Sequence, residues 1–236
     1  MEQQSQSLKT YFQDGRMFIP LSDNDSVSFT WDTIKQKLFA REPLENDDQC
    51  TLLLDRLVQH ACDSFTLAQD IVDPFTKRPA KMSEDPCGLV QSATLSASHK
   101  LRLQAHAYDT ETMLYKPTYG HVGVTITLQT NDGEKPFLFD PTFSQFCADQ
   151  QNGEVYDSNN PRPGFYLQES PQVYNALLQK GYVELDETAA DIYLRSFNGG
   201  EPPHDNALKI LTNPPYSKYN NIYGAHLDDF DIQPQL

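Results

Sequence analysis

Positive charge is scarce in this chain: 18 Lys and Arg stand against 33 Asp and Glu, a formal net charge of −15. A surface that acidic repels phosphate backbones and anionic lipid, so neither nucleic acid nor a membrane surface is an expected partner. Long apolar runs are also missing, and no stretch approaches the length of a membrane span. The first residues, Met1-Glu2-Gln3-Gln4-Ser5, have neither the basic nor the apolar region of a signal peptide. The four cysteines form no close pair and no CxxC, and none stands at metal-ligand spacing from a histidine. A phosphate loop, a glycine-rich nucleotide fingerprint and internal repeats are absent too, so the sequence implies no metal and no cofactor. Reduced thiols in a cytoplasm fit this usage. Delivery into another cell by a route that needs no signal peptide fits it equally.

What is present is enough for a core. Hydrophobic residues make up 38% of 236 and aromatics 11%, which argues against wholesale disorder and for one large domain with appendages. The expected layout is a polar N-terminal arm over residues 1–27, a single α+β domain over 28–200, and an irregular C-terminal tail over 201–236 packed on it. Trp31, Ile34 and Leu38 predict a short helix to Ala40. Asn46-Asp47-Asp48 caps a stronger one, whose stripe runs Leu54, Leu57, Val58, Ala61, Phe65 and Ala68. His60 and Cys62 lie in it two residues apart, point away from each other, and read as a surface histidine and a core cysteine. Ser170-Pro171 opens a helix closed by Lys180-Gly181, and Asp186 to Phe197 forms another.

Three motifs carry the chemistry. Asp85-Pro86-Cys87-Gly88 opens a helix, with Pro86 at its first position and Cys87 in its first turn. Orphan amides and the positive end of the helix dipole there favour a thiolate, while Glu84 and Asp85 oppose it. His121 opens a strand in which Val122, Val124, Ile126 and Leu128 alternate with Gly123, Thr125 and Thr127. Gly123 leaves room for a backbone to approach. Phe137-Leu138-Phe139-Asp140-Pro141-Thr142 closes the next strand, and Pro141 ends its pairing. Cys87, His121 and Asp140 are a thiol nucleophile, a base and an orienter in workable order. The Cys87 backbone amide is the expected oxyanion donor; Gln69 and Tyr119 are the candidates for a second.

The turn sets a condition on that triad. A two-residue Asp132-Gly133 hairpin turn would pair Asp140 with Thr125, about 13 Å along the strand from His121. Direct apposition of His121 and Asp140 requires pairing centred near Thr130-Asn131, or a bulge before Pro136.

The cysteine at a helix start, the Gly-His-Val strand start and the Phe-Asp-Pro-Thr strand end together resemble the transglutaminase-like branch of the papain-like superfamily. That branch includes transglutaminases, protein glutamine deamidases, some peptidases and the arylamine N-acetyltransferases. The resemblance covers roughly residues 83–146; Pro86 stands where many transglutaminases carry an aromatic. It implies an α+β papain-like core, with the Cys-bearing helix packed on an antiparallel sheet and flanked by further helices. It implies Cys87 as nucleophile, His121 as base and Asp140 as orienter, acting through a thioester on a glutamine side chain of a protein substrate, with a toxin or effector as the expected setting. A cysteine peptidase uses the same groups, and a binding module could keep the same fold without turnover.

Overall fold

Asn46 shows how locally the chain sets its helices. Its side-chain oxygen accepts from the Gln49 amide at 3.0 Å, and the Gln49 side chain accepts from the Glu45 amide at 2.9 Å, so two orphan donors are satisfied at one helix start. In the computed structural model, residues 11–13, 16–20, 26–69, 86–146 and 161–212 are described. That start belongs to α2 (Asp47–Gln69), which follows α1 (Trp31–Ala40). The segment expected as a polar arm carries three short antiparallel strands, β1 (Tyr11–Gln13), β2 (Arg16–Pro20) and β3 (Ser26–Thr30).

The second half is one antiparallel sheet with helices before and after it. Helix α3 (Pro86–Lys100) precedes β4 (Gln104–Asp109), β5 (Val122–Thr130) and β6 (Gly133–Phe139). Then come α4 (Pro163–Leu167), α5 (Pro171–Lys180), β7 (Tyr182–Glu184), α6 (Glu187–Phe197) and α7 (Ala207–Thr212). The strand order is β4-β5-β6-β7, which makes the fold α+β. Helix α5 ends on Gly181, at φ +79°, and the Gly181 amide donates to Leu177 O at 3.0 Å. Asp186 caps α6 by accepting from the Ala189 amide at 2.7 Å. No helix of the described residues is long and apolar enough to cross a membrane.

Alternation along the strands divides the interior in two. Ala105, Ala107, Val124, Ile126, Leu128, Phe137 and Phe139 face one way, against α1, α2 and α3. Tyr108 and Leu138 face the other way, against α4, α5, α6 and α7. A fully buried Leu or Ile contributes about 1.5–3 kcal/mol, so each cluster is substantial. The Tyr182 hydroxyl donates to Asp55 at 2.8 Å and ties the sheet edge to α2. Within α2 the cysteines depart from expectation. Cys62 is exposed and His60 half-buried, because Leu57 and Ala61 occupy the buried stripe and Cys62 lies one step around from it. Of the two cysteines in α2, the buried one is Cys50.

Burial pushes the Cys50 thiol up to about 11 and raises the Tyr182 phenol as well. Both are neutral in the folded and the unfolded chain below the ordinary thiol value of about 8.5. Above it the unfolded chain releases its thiol proton first, so stability is lost as pH rises through about 11. The melting temperature is expected to fall across that window, with a shallower early decline in Cys50→Ala; a flat wild-type profile would contradict the burial.

Candidate active site

The β5–β6 hairpin closes one residue earlier than the Asp-Gly pair suggests. Thr130 pairs with Gly133, leaving Asn131-Asp132 as the turn, and Gly133 takes φ +113°. Neither Asn131 nor Asp132 has positive φ, so Gly133 supplies the left-handed residue that follows such a turn rather than a central one. Val124 therefore pairs with Phe139, and the next pair outward would be Gly123 with Asp140, not Thr125 with Asp140. Two residues along the same face from Gly123 is His121. The pairing lies between the two registers considered, and a diagonal neighbour is within side-chain reach.

The two side chains meet. His121 Nε2 lies 2.8 Å from Asp140 Oδ2, with Asp140 1% and His121 2% exposed. Asp140 has two further donors: the Tyr193 hydroxyl at 2.8 Å on Oδ2, and the Thr142 hydroxyl at 2.9 Å on Oδ1. The Tyr108 hydroxyl donates in turn to the Tyr193 oxygen at 2.9 Å. Burial drives both phenols well above the ordinary tyrosine range, and the Asp140 charge adds to it. They stay protonated and donating, and the carboxylate, an acceptor only, draws the imidazole proton onto Nε2.

Backbone and rings fix the imidazole. The His121 amide donates to Thr110 Oγ1 at 3.0 Å while the Thr110 amide donates to His121 O at 2.8 Å. The ring stacks on Phe197, centroids 5.2 Å apart and 9° from parallel, and meets Phe146 edge-on at 4.8 Å. Its Nδ1 is buried with no hydrogen-bond partner among the described residues. With the proton on Nε2, Nδ1 presents a lone pair in a dry pocket.

Cys87 sits at the same end of the sheet but comes from the other side. It is a half-buried thiol in the first turn of α3, and α3 packs on the face that carries Val124 and Phe139. With Val90, Gln91, Val122, Gly123, Asp140 and Thr142, among others, it lines a recess of about 10 Å³, the room of one water. The structure thus joins His121 to Asp140 and brings Cys87 and Asp140 to one recess. It makes no hydrogen bond between Cys87 and His121 Nδ1. Gly123 does not open a path for a backbone: a Cβ there would collide with the Tyr108 hydroxyl, which fills that space.

Several residues of the site gave no motif. Tyr193 and Phe197 stand four apart on the α6 stripe with Ala189, Ala190 and Leu194; helical spacing marks that stripe as core without singling out a hydroxyl. Thr142 lies inside the Asp-Pro-Thr run. Gln91 stands four residues after Cys87, one helical turn along the same face, and that spacing was its available signal. Asp85 and Gln69 lie outside the residues whose side chains are described. Tyr119 is half-buried; its amide reaches Phe197 O at 3.4 Å and its ring lies edge-on to Phe146. Comparison with protein-family models, with curated proteins and with solved structures finds no match.

Tyr193→Phe removes a donor from Asp140 and strands the buried Tyr108 hydroxyl, at an expected cost of about 1–3 kcal/mol. Tyr108→Phe/Tyr193→Phe should lose less than the sum of the two single changes, because no lone phenol remains. Urea denaturation of the three variants measures this, and strictly additive losses would contradict the hydroxyl chain.

Proposed function

We propose that this protein is a thiol enzyme of transglutaminase-like architecture that deamidates or transamidates glutamine side chains of a protein substrate. One observation carries the proposal: a buried His121–Asp140 pair, with Nδ1 without a hydrogen-bond partner among the described residues, at the sheet end where Cys87 opens α3. The element order supports it too, with a helix bearing the cysteine, a strand opened by the histidine and the next strand closed by the aspartate.

In this mechanism Nδ1 takes the proton of Cys87, and Asp140 stabilises the imidazolium that results. The thiolate adds to the carboxamide carbon, the carbonyl electrons move onto oxygen, and the Cys87 amide donates to it from the start of α3. Collapse breaks the C–N bond. Ammonia leaves with a proton from Nδ1, and water or an amine then attacks the thioester. The bond between Nδ1 and Sγ forms when substrate engages the site, as catalytic hydrogen bonds often tighten only in the complex.

Incubation with a cell lysate, read by mass spectrometry, should give glutamate or new isopeptide crosslinks at glutamine sites, and neither with Cys87→Ala. Asp140→Asn should fold but react roughly 10³–10⁴-fold more slowly, since an amide donor on Nε2 shifts the imidazole proton to Nδ1. New chain termini would replace the proposal with a peptidase. Identical lysates with and without Cys87 would leave a binding module.

A further inference from the structure

Gln91 is 2% exposed, and neither its Nε2 nor its Oε1 has a hydrogen-bond partner among the described residues. Buried amides are rarely left so, whichever way round the group sits, and nothing in the packing of α3 requires one here. The neighbouring hydroxyls show the contrast. Ser92 donates to Gly88 O at 2.9 Å, and Thr94 donates to Val90 O at 2.7 Å.

The amide lines the recess that Cys87 lines. Side chains on a helix lean toward its N-terminus, so Gln91, one turn after Cys87, leans back toward the thiol. The other polar groups at the recess are engaged: Thr94 as above, Thr142 on Asp140, and Asp140 by three donors. Val90, Val122, Val124 and Phe139 make up much of the remaining wall. A recess of about 10 Å³ with apolar walls admits one oxygen atom rather than a side chain. In so dry a setting a donor acts strongly on developing charge.

We propose that the Gln91 amide is the second oxyanion donor for Cys87, beside the Cys87 backbone amide. This rests on the thiol-enzyme proposal. As the Cys87 thiolate adds to an acyl carbon, the carbonyl electron pair moves onto oxygen, and Gln91 Nε2–H donates to that oxygen. When the intermediate collapses, the pair returns and the leaving group departs.

Acylation develops an oxyanion and alkylation does not, so two small probes isolate the donor. p-Nitrophenyl acetate acylates a thiol through a tetrahedral intermediate; iodoacetamide alkylates it by direct displacement. Gln91→Met keeps length and removes the amide, and Gln91→Glu keeps shape and removes the N–H. Both variants should acylate about 10²–10³-fold more slowly at Cys87. In the uncharged Gln91→Met variant alkylation of Cys87 should stay within about twofold, and that variant should melt no lower than wild type, having lost an unpaired polar group. Acylation that stays within twofold of wild type in Gln91→Met overturns the assignment. So does an equal fall in both reactions, which marks a structural role. An undiminished p-nitrophenol burst from Cys87→Ala removes the thiol-enzyme proposal itself, and Gln91 with it.

Discussion

A carboxylate held at 1% exposure must replace its hydration shell with donors, and much of this molecule is arranged around doing so for Asp140. His121 reaches it from the start of β5, Tyr193 from α6, and Thr142 from the turn beyond β6. Its own amide is held by Gly181 O at 2.7 Å, which continues the β6–β7 pairing past the last strand residue. Each donor comes from a different element, so the charge can be buried only when those elements are in place together. A partly assembled version would leave an uncompensated ion in a dry interior, a cost of several kcal/mol. The hydrogen bonds therefore select an arrangement more than they add net stability.

The aromatic cluster around that charge has a second effect. Phe146, Phe197, Tyr193 and Tyr108 exclude water from one side of the imidazole while the phenols stay protonated. The environment is apolar toward the ring and polar only along one line of hydroxyls. This makes the two nitrogens of His121 unlike each other: one saturated, one bare. Such asymmetry is what proton transfer at a fixed atom needs, and it arises from packing by helices far along the chain.

Local signals made much of the scaffold legible. The Asn46 cap, the Trp31–Ala40 helix, the Gly181 stop and the helix running to Phe197 are read within a few residues of themselves, and the structure has each where the pattern put it. Strands β4 and β7 carry no such signal, because Gln-Ala-His-Ala-Tyr-Asp has no branched residues and Tyr182–Glu184 is three residues long. The hairpin turn falls one residue earlier than the Asp-Gly signal implies, which shifts the pairing of Asp140 by two residues, from Thr125 to Gly123, because the glycine serves after the turn. The His121–Asp140 pairing was legible as a requirement. The side of the sheet from which Cys87 approaches was not, because it follows from α3 packing on Val124 and Phe139, a contact no local pattern encodes.

Gly123 and Tyr108 show how one such contact constrains descent. They sit opposite each other across β4 and β5, and the phenol occupies the volume that a side chain at 123 would claim. Neither position can drift alone. A methyl gained at 123 evicts the hydroxyl at 108, and a residue shortened at 108 leaves Tyr193 without its donor and the sheet with a hole. Among diverging copies of this chain, the two sites should change as a couple, small with large, and a pair that has traded sizes would mark a lineage whose buried aspartate is held by some other means.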